Sequence, residues 1–289
     1  MRFTELLPAY FDHHRTYNKP ATLRSARISL GHLVRFFGDR ELSTLSREDL
    51  EAYVRQRRQT VKDVSVNTDL RVLRAFLRFG VETGALERLP LRVRMLKVAR
   101  KRELPVLGEA ELERLLRHAH GRYYGIILIA GVTGLRSAEI VNLQWRDVYF
   151  GESRIAVTSK PDWSAKSHQE RSVFVGQRVL TWLARHRAAS AFNLPRDYVF
   201  STRTGTTLMR RNLCRELRKV FVAAGLYTRG MPLLHWLRHS AASRMLGAGV
   251  DIETVRRILG HRSIVTTQLY LHTTDSRLKA ASKVLDPGG

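Results

Sequence analysis

A basic stretch bracketed by Pro90 and Pro105 divides the sequence into two regions with different hydrophobic patterns. In residues 1–90 the apolar side chains recur at the three- and four-residue spacing of amphipathic helices. The later region adds short alternating runs typical of strands. Because proline interrupts helices and a run of like charges resists burial, we expect residues 91–106 to be an interdomain linker. The second domain is then predicted over residues 107–289.

The first region is predicted to form a small bundle of four short helices. The stretch Thr22–Phe37 places its apolar residues, Ile28 among them, largely on one stripe. Ser46 followed by Asp49 is a capping box that begins the next helix, with Asp in place of the usual Glu. A further helix is predicted over Ser65–Thr83, ended by the glycine that follows it.

The second region is predicted to be mostly helical with one small β-hairpin, so the fold class is mainly α. Residues 154–158 and 171–175 alternate as two strands. Gly134 is expected to end one helix before the next begins. The predicted helices cover residues 109–120, 123–132, 137–143, 178–190, 210–224, 233–247, 251–259 and 263–271.

The formal net charge is +24, and 41 of the 50 basic residues are arginine. The excess is shared by both regions, and the planar guanidinium group matches phosphate oxygens in pairs. This favours a DNA duplex gripped by both domains. The alternative to DNA binding is that most of these side chains simply lie on solvated helix faces. A membrane-surface or RNA-binding role has only the charge to support it.

Other features of the composition exclude several protein classes. Cys214 is the single cysteine, so neither an internal disulfide framework nor a multi-thiolate metal cage can form. The longest apolar run, Ile126–Ala130, is far shorter than a membrane span. The N-terminus has no signal-peptide core. We therefore expect a soluble, intracellular protein located in the cytoplasm.

Five short stretches carry residue types suited to phosphoryl chemistry. Each is weak evidence alone, but their order and spacing together are specific. They are Thr133-Gly134-Leu135-Arg136-Ser137-Ala138-Glu139-Ile140; Lys166 with Arg171 following it; His235-Trp236-Leu237-Arg238-His239; Leu259-Gly260-His261; and Thr266-Thr267-Gln268-Leu269-Tyr270-Leu271-His272.

In this order the chain resembles the tyrosine recombinase (phage integrase) family, with the specific motifs lying in residues 133–272. The resemblance implies a SAM-like core-binding bundle and a catalytic domain of the DNA breaking-rejoining enzyme fold, with DNA clamped between them. It implies a site-specific recombinase that exchanges DNA strands through a 3′-phosphotyrosine, with no metal, nucleotide or other cofactor. Double-stranded DNA is the implied partner.

The implied roles agree with the chemistry of the residue types. Arg136 and Arg238 are assigned to the equatorial oxygens of the reacting phosphate, which gain negative charge. Tyr270 is the nucleophile, and its phenol, with an ordinary pKa of about 10, needs a base or a cationic field. His235 shares a helix face with Arg238 and is the candidate base. His261 is expected to hydrogen-bond the phosphate.

Two supporting assignments follow. Lys166 is expected to protonate the 5′-hydroxyl leaving group. Lys160 lies in the same hairpin and remains an alternative, although the pattern Lys-x-x-x-Glu-Arg-x-Val over residues 166–173 matches the family. Glu139, three residues after Arg136, is expected to orient the core of the active site.

Structural interpretations compete with each assignment. Arg136 at a helix start is also typical of a solvated or structural arginine. His235 and His239 have the i, i+4 spacing of zinc-binding helices, but no Glu follows His235 and no third ligand is evident. Tyr270 competes with eight other tyrosines, but it alone lies in Thr-Thr-x-x-Tyr-x-His.

The bundle begins almost at Met1, which leaves no room for an arm-binding domain and favours the compact, Xer-like branch. In the family, a tail such as residues 273–289 packs into a neighbouring subunit, so we expect a homotetramer on paired sites, with or without a second recombinase or activator. Two alternatives are a type IB topoisomerase-like relaxase and a DNA-binding protein that has kept the fold but does not cut.

Overall fold

Helices make up most of both halves of the chain, which confirms the mainly α fold class. The computed structural model describes residues 1–18, 20–98, 105–160, 163 and 170–270. Its contacts divide the chain into two units, Met1–Arg102 and Glu103–Gly289. No helix of the described residues is long and apolar enough to cross a membrane.

The first unit is a helical bundle. Its helices are α1 (Phe3–Tyr17), α2 (Pro20–Phe37), α3 (Arg47–Arg58) and α4 (Asp63–Glu82), with a 3₁₀ turn at Leu42–Thr44. The capping box predicted for α3 is confirmed, because the Ser46 hydroxyl accepts from the Asp49 N–H at 3.2 Å. The Asp49 carboxylate in turn accepts from the Ser46 N–H at 3.0 Å.

The core of this unit is built around α4, which packs against α2. Its fully buried side chains follow the helical spacing seen in the sequence: Val66, Leu70, Leu73, Phe76 and Leu77. On α2 the prediction for Ile28 is wrong, because that side chain is 56% exposed. Ile28 lies two residues before buried Leu30 and is therefore about 200° away from it around the helix.

The second unit contains eight helices and three strands within the described residues. The helices are α5 (Glu109–His118), α6 (Gly121–Thr133), α7 (Ser137–Val141), α8 (Gln177–Ala188), α9 (Arg210–Ala223), α10 (Leu233–Gly247), α11 (Ile252–Leu259) and α12 (Ile264–Gln268). A 3₁₀ turn at Trp145–Asp147 leads into β1 (Val148–Tyr149), β2 (Arg154–Val157) and β3 (Arg171–Phe174).

The strands form one antiparallel sheet in the order β1-β2-β3. The predicted hairpin is confirmed, with Ile155 opposite Val173 and Val157 opposite Arg171. Strand β1 was not predicted; its two residues are too short to show an alternating pattern, and only the pairing with β2 defines it.

Helices α6 and α10 pack closely at the centre of the second unit. Residues 125–131 of α6 are all buried, which explains why this stretch is apolar on every face. Gly134 ends α6 in the left-handed conformation with φ 66°, as a helix-ending glycine does. A Cβ atom at this glycine would lie 2.6 Å from the Leu259 side chain. The tight turn brings the next residues, including Arg136, against the end of α11.

Candidate active site

The C-terminal end of α11 gathers three arginines from distant parts of the chain. Their guanidinium groups donate to three consecutive carbonyl groups there. Arg171 Nε lies 2.7 Å from the oxygen of Ile258, Arg238 Nη2 lies 2.8 Å from that of Leu259, and Arg136 Nη2 lies 2.8 Å from that of Gly260. The carbonyl end of a helix carries partial negative charge, so it favours cations at this position.

Glu139 lies beneath two of these arginines, and its side chain is only 2% exposed. Its carboxylate accepts from Arg136 Nη1 at 2.9 Å and from the Arg136 backbone N–H at 2.8 Å. It also accepts hydrogen bonds from both terminal nitrogens of Arg171, at 3.1 and 2.8 Å. Burial alone would raise the pKa of Glu139, but the hydrogen bonds and charges of the two arginines outweigh it and hold that pKa below its ordinary value.

Arg238 is buried on α10 and also donates from Nη1 to the carbonyl of Gly134 at 2.7 Å. Burial, together with the nearby charge of Arg136, lowers the pKa of Arg238 to about 10. The side chain therefore still carries its charge at neutral pH. Because that charge is partly desolvated, it interacts more strongly with an approaching anion than a surface arginine would.

Tyr270 is 7% exposed and follows α12. Burial raises the pKa of Tyr270, while the charge of Arg238 and a hydrogen bond with it act in the opposite direction. Its ring lies 5.2 Å from that of His239 and 6.0 Å from that of His261, measured between centroids. The phenol is thus uncharged at neutral pH, and its proton must leave before or during any nucleophilic attack.

His261 is buried directly after the glycine that ends α11. Its Nδ1 lies 2.9 Å from the hydroxyl of Thr267. Burial and the charges of Arg238, Arg136 and Arg171 lower the pKa of His261 to about 3. The imidazole is therefore neutral, and if Nδ1 accepts from Thr267 its other nitrogen carries a proton to donate.

A cleft of about 870 Å³ lies beside Arg136, Arg238, His261 and Tyr270. Five of the residues singled out in the sequence line it: Arg136, His235, Arg238, His261 and Tyr270. His235 is exposed at its rim, one helical turn before Arg238 on α10. The fold thus brings together side chains from four separate segments of the chain.

Sequence reasoning did not single out three further arginines that line the cleft, Arg210, Arg218 and Arg262. All three are exposed. No local motif marks them, since nothing in the sequence distinguishes them from other arginines on solvated helix faces. They extend the positive charge of the cleft outward from Arg136 and Arg238.

The two candidate lysines differ. Lys166 lies outside the described residues. Lys160 is buried, with Nζ 2.7 Å from the Asp147 carboxylate and 2.9 Å from the carbonyl oxygen of Asn142. The nitrogen also lies 5.5 Å from the ring centre of Trp163. The charge of Lys160 is therefore paired within the protein.

The sequence is similar to those of known proteins. The model of the phage integrase family matches residues 105–277. Tyrosine recombinase XerC of Lactobacillus delbrueckii subsp. bulgaricus is 25% identical over 293 residues, which cover 96% of each chain.

Two solved structures share the fold. A Tn1549 transposon integrase in complex with a circular intermediate DNA covers 99% of this chain and 100% of that one, with a TM-score of 0.79 and 19% identity. A lambda integrase tetramer bound to a Holliday junction covers 93% of this chain and 77% of that one, with a TM-score of 0.74 and 16% identity.

The helical catalytic unit and its arginine-lined cleft with a buried tyrosine define the class of tyrosine recombinases. The chain belongs to the phage integrase family, and its relatives place it on the Xer-like branch.

Proposed function

We propose that this protein cuts and rejoins double-stranded DNA at specific sites through a covalent 3′-phosphotyrosine formed at Tyr270. The observation that carries the proposal is the cleft itself. There a buried tyrosine lies against buried Arg238, with Arg136 and two histidines lining the same space. A phosphate is the group that this combination of cations and a nucleophile fits best.

The reaction is a transesterification. The phenol oxygen of Tyr270 bonds to the scissile phosphorus, and the bond from phosphorus to the 5′ oxygen breaks. We assign the phenol proton to His235, and we assign Lys166 as the donor of the proton that the 5′ oxygen takes up. Arg136 and Arg238 hold the non-bridging oxygens, where charge accumulates in the transition state. Rejoining reverses these steps on a new 5′-hydroxyl.

His261 and Glu139 have supporting roles. His261 is neutral at the pH of the reaction and donates a hydrogen bond to the phosphate without adding charge. Glu139 holds the Arg136 side chain and its backbone N–H, so it fixes the direction of that guanidinium group. Preorganised donors of this kind do not have to reorient when charge develops.

The contacts of Lys160 support Lys166 as the general acid. The ammonium group of Lys160 is committed to Asp147 and to a backbone carbonyl, both within 3 Å. Releasing it toward a leaving group would leave a buried carboxylate without its cation. We therefore assign Lys160 to the packing of the second unit.

The experiment is covalent capture of DNA. The protein is incubated with fragmented host DNA in EDTA, quenched with SDS, and the attached fragments are sequenced, with Tyr270→Phe in parallel. The proposal predicts adduct from the wild type alone, with recurrent fragment ends. Randomly scattered ends would favour the topoisomerase-like alternative. Salt-sensitive binding without adduct would favour a protein that binds but does not cut.

The assembly is proposed to be a homotetramer on two paired sites, formed from a core-binding domain over residues 1–90, a linker over 91–106 and a catalytic domain over 107–289. The tetrameric lambda integrase of the same fold supports it. Since its proposed substrate is DNA, we propose that it acts in the cytoplasm. There it acts with or without a second recombinase or activator.

Residues 273–289, the proposed subunit-exchange tail, lie outside the described residues. Deleting residues 275–289 should weaken cooperative binding to paired half-sites while binding to one half-site is unchanged. Gel-shift titrations on single and paired sites measure both, and unchanged cooperativity would contradict the tail's role.

A further inference from the structure

Arg171 is a buried arginine to which neither the sequence motifs nor the proposed chemistry assigns a role. It is the first residue of β3, and its side chain is 8% exposed. Its guanidinium group faces inward and donates to Glu139 through both terminal nitrogens and to Ile258 through Nε. All three of its described hydrogen bonds are therefore made within the protein.

Glu139 shares each of its oxygens between two arginines. Oε1 accepts from Nη1 of Arg136 and Nη1 of Arg171, and Oε2 accepts from the Arg136 backbone N–H and Nη2 of Arg171. A carboxylate paired with Arg136 alone would cancel most of the charge that a phosphate needs. With Arg171 as the second partner, the cluster of one carboxylate and two guanidinium groups keeps one net positive charge.

The backbone around Gly260 is built to admit Arg171. A Cβ atom at this position would lie 2.8 Å from Nη1 of Arg171, and the residue has a φ of 66°. The carbonyl of the same glycine receives Nη2 of Arg136. Glycine at 260 therefore lets the two guanidinium groups approach one turn of backbone, directly before His261.

We propose that Arg171 is a positioning residue that lets Glu139 orient Arg136 without cancelling its charge. It does so from the strand that follows Lys166, so the β-hairpin and the arginine-bearing turn of α7 are fixed to each other through one buried carboxylate. This inference rests on the proposed function, since it assigns a task in the same cleavage reaction.

The test compares two duplexes that carry the site recovered by covalent capture. One has the natural scissile phosphate, and the other has a methylphosphonate, in which a methyl group replaces a charged oxygen. Wild type, Arg171→Ala and Arg154→Ala are assayed for adduct formation in single-turnover reactions at saturating protein. Arg154 is the matched control, because it lies on the same sheet but pairs with exposed Glu152.

On the phosphate duplex, Arg171→Ala should be about 10- to 100-fold slower than wild type, the usual consequence of a misplaced catalytic group. On the methylphosphonate the difference should shrink to about threefold or less, because its transition state carries one negative charge fewer than that of the phosphate. Arg154→Ala should match wild type on both. An equal defect of Arg171→Ala on the two duplexes would overturn the proposal. No adduct from wild type would instead refute the proposed function.

A second variant tests the charge balance directly. Adding Glu139→Gln to Arg171→Ala removes the carboxylate that would otherwise pair with Arg136 alone and cancel its charge, so the double variant should cleave the phosphate duplex faster than Arg171→Ala alone. A double variant as slow as the single one, or slower, would overturn the charge argument. If Arg171→Ala does not fold, Arg171→Gln removes the charge with less loss of volume and should show the same dependence on the duplex.

Discussion

Among the described residues, each unit of the protein buries one carboxylate beside arginine, but the charges of the two networks are balanced differently. In the first unit, Asp69 of α4 accepts from the Tyr53 hydroxyl at 2.8 Å and from Arg57 Nε at 3.0 Å. Its other oxygen lies 3.5 Å from His32 Nδ1. Among the described residues Asp69 has a single arginine partner, so the charges cancel and the network ties three helices together.

In the second unit, Glu139 has two arginine partners, and a third arginine, Arg238, lies beside them. Positive charge is in excess here, and the excess faces a cleft. The two networks therefore differ in net charge. The balanced pair ties helices together, whereas the unbalanced cluster leaves positive charge beside the cleft, where the proposed reaction places a phosphate.

The largest expected effect comes from removing a cation from each network in turn. Arg136→Ala should lower the single-turnover rate of adduct formation by about 10²–10³-fold, as loss of one transition-state donor does. Arg57→Ala, in the balanced network, should leave that rate within about twofold at saturating protein, because the partners described for Arg57 are Asp69, Thr60 and His32 of the first unit. A comparable slowing by Arg57→Ala would break the distinction.

The next effect separates the two lysines. Lys166→Ala should slow cleavage by about 10²-fold, and a 5′-thiol leaving group should restore most of the rate, because a thiol needs no general acid. Lys160→Ala should destabilise the second unit without any thiol rescue, since its ammonium group is paired with Asp147. Rescue of Lys160→Ala in a quenched-flow assay would transfer the role to Lys160.

Asp69→Ala is expected to act on stability. It removes the carboxylate that Tyr53 and Arg57 share, and breaking such a buried pair costs about 3 kcal/mol. Asp63→Ala is the matched control on α4, because its partner Arg58 is more than half exposed and such surface pairs contribute about 1 kcal/mol or less. Hydrogen exchange of α4 amides, measured by mass spectrometry in the full chain, reports both. Equal loss of protection would contradict the buried-network account.

The smallest effect is a dependence of stability on pH. The pKa of His261 is about 3 in the folded protein and near 6.5 in the unfolded chain, so the unfolded chain takes up the proton first on acidification. The stabilising contribution of neutral His261 is complete above pH 6.5 and is lost as the pH falls toward 3. The slope is at most about 1.4 kcal/mol per pH unit. Thermal unfolding between pH 7 and 5 should fall more steeply for wild type than for His261→Gln, and parallel curves would refute this.

Local signals in the sequence were sufficient for much of the fold. The hydroxyl and carboxylate of Ser46 and Asp49 cap a helix within four residues, and Gly134 ends one because its φ is positive. Strand β1 could not be predicted in this way, because its partner β2 alone defines it. The resemblance to a known family, rather than any local pattern, indicated which distant residues share the cleft.

The buried contacts of Arg171 could not be predicted from local sequence signals. Its partners Glu139 and Ile258 lie 32 and 87 residues away, and no spacing rule connects them. One signal was present, since alternation in β3 places Arg171 on the same face as buried Val173. An arginine on a buried strand face needs hydrogen-bond acceptors within the protein, and for Arg171 these are the Glu139 carboxylate and the carbonyl of Ile258.

The most direct test of the central claim is to identify the residue that becomes attached to DNA. Adduct formed by the wild-type protein is digested with trypsin and nuclease, and the peptide that carries the residual nucleotide is sequenced by mass spectrometry. We expect a single phosphodiester at Tyr270, through a 3′ phosphate. A nucleotide on any other tyrosine, or on a serine, would contradict the assignment of the cleft as the active site.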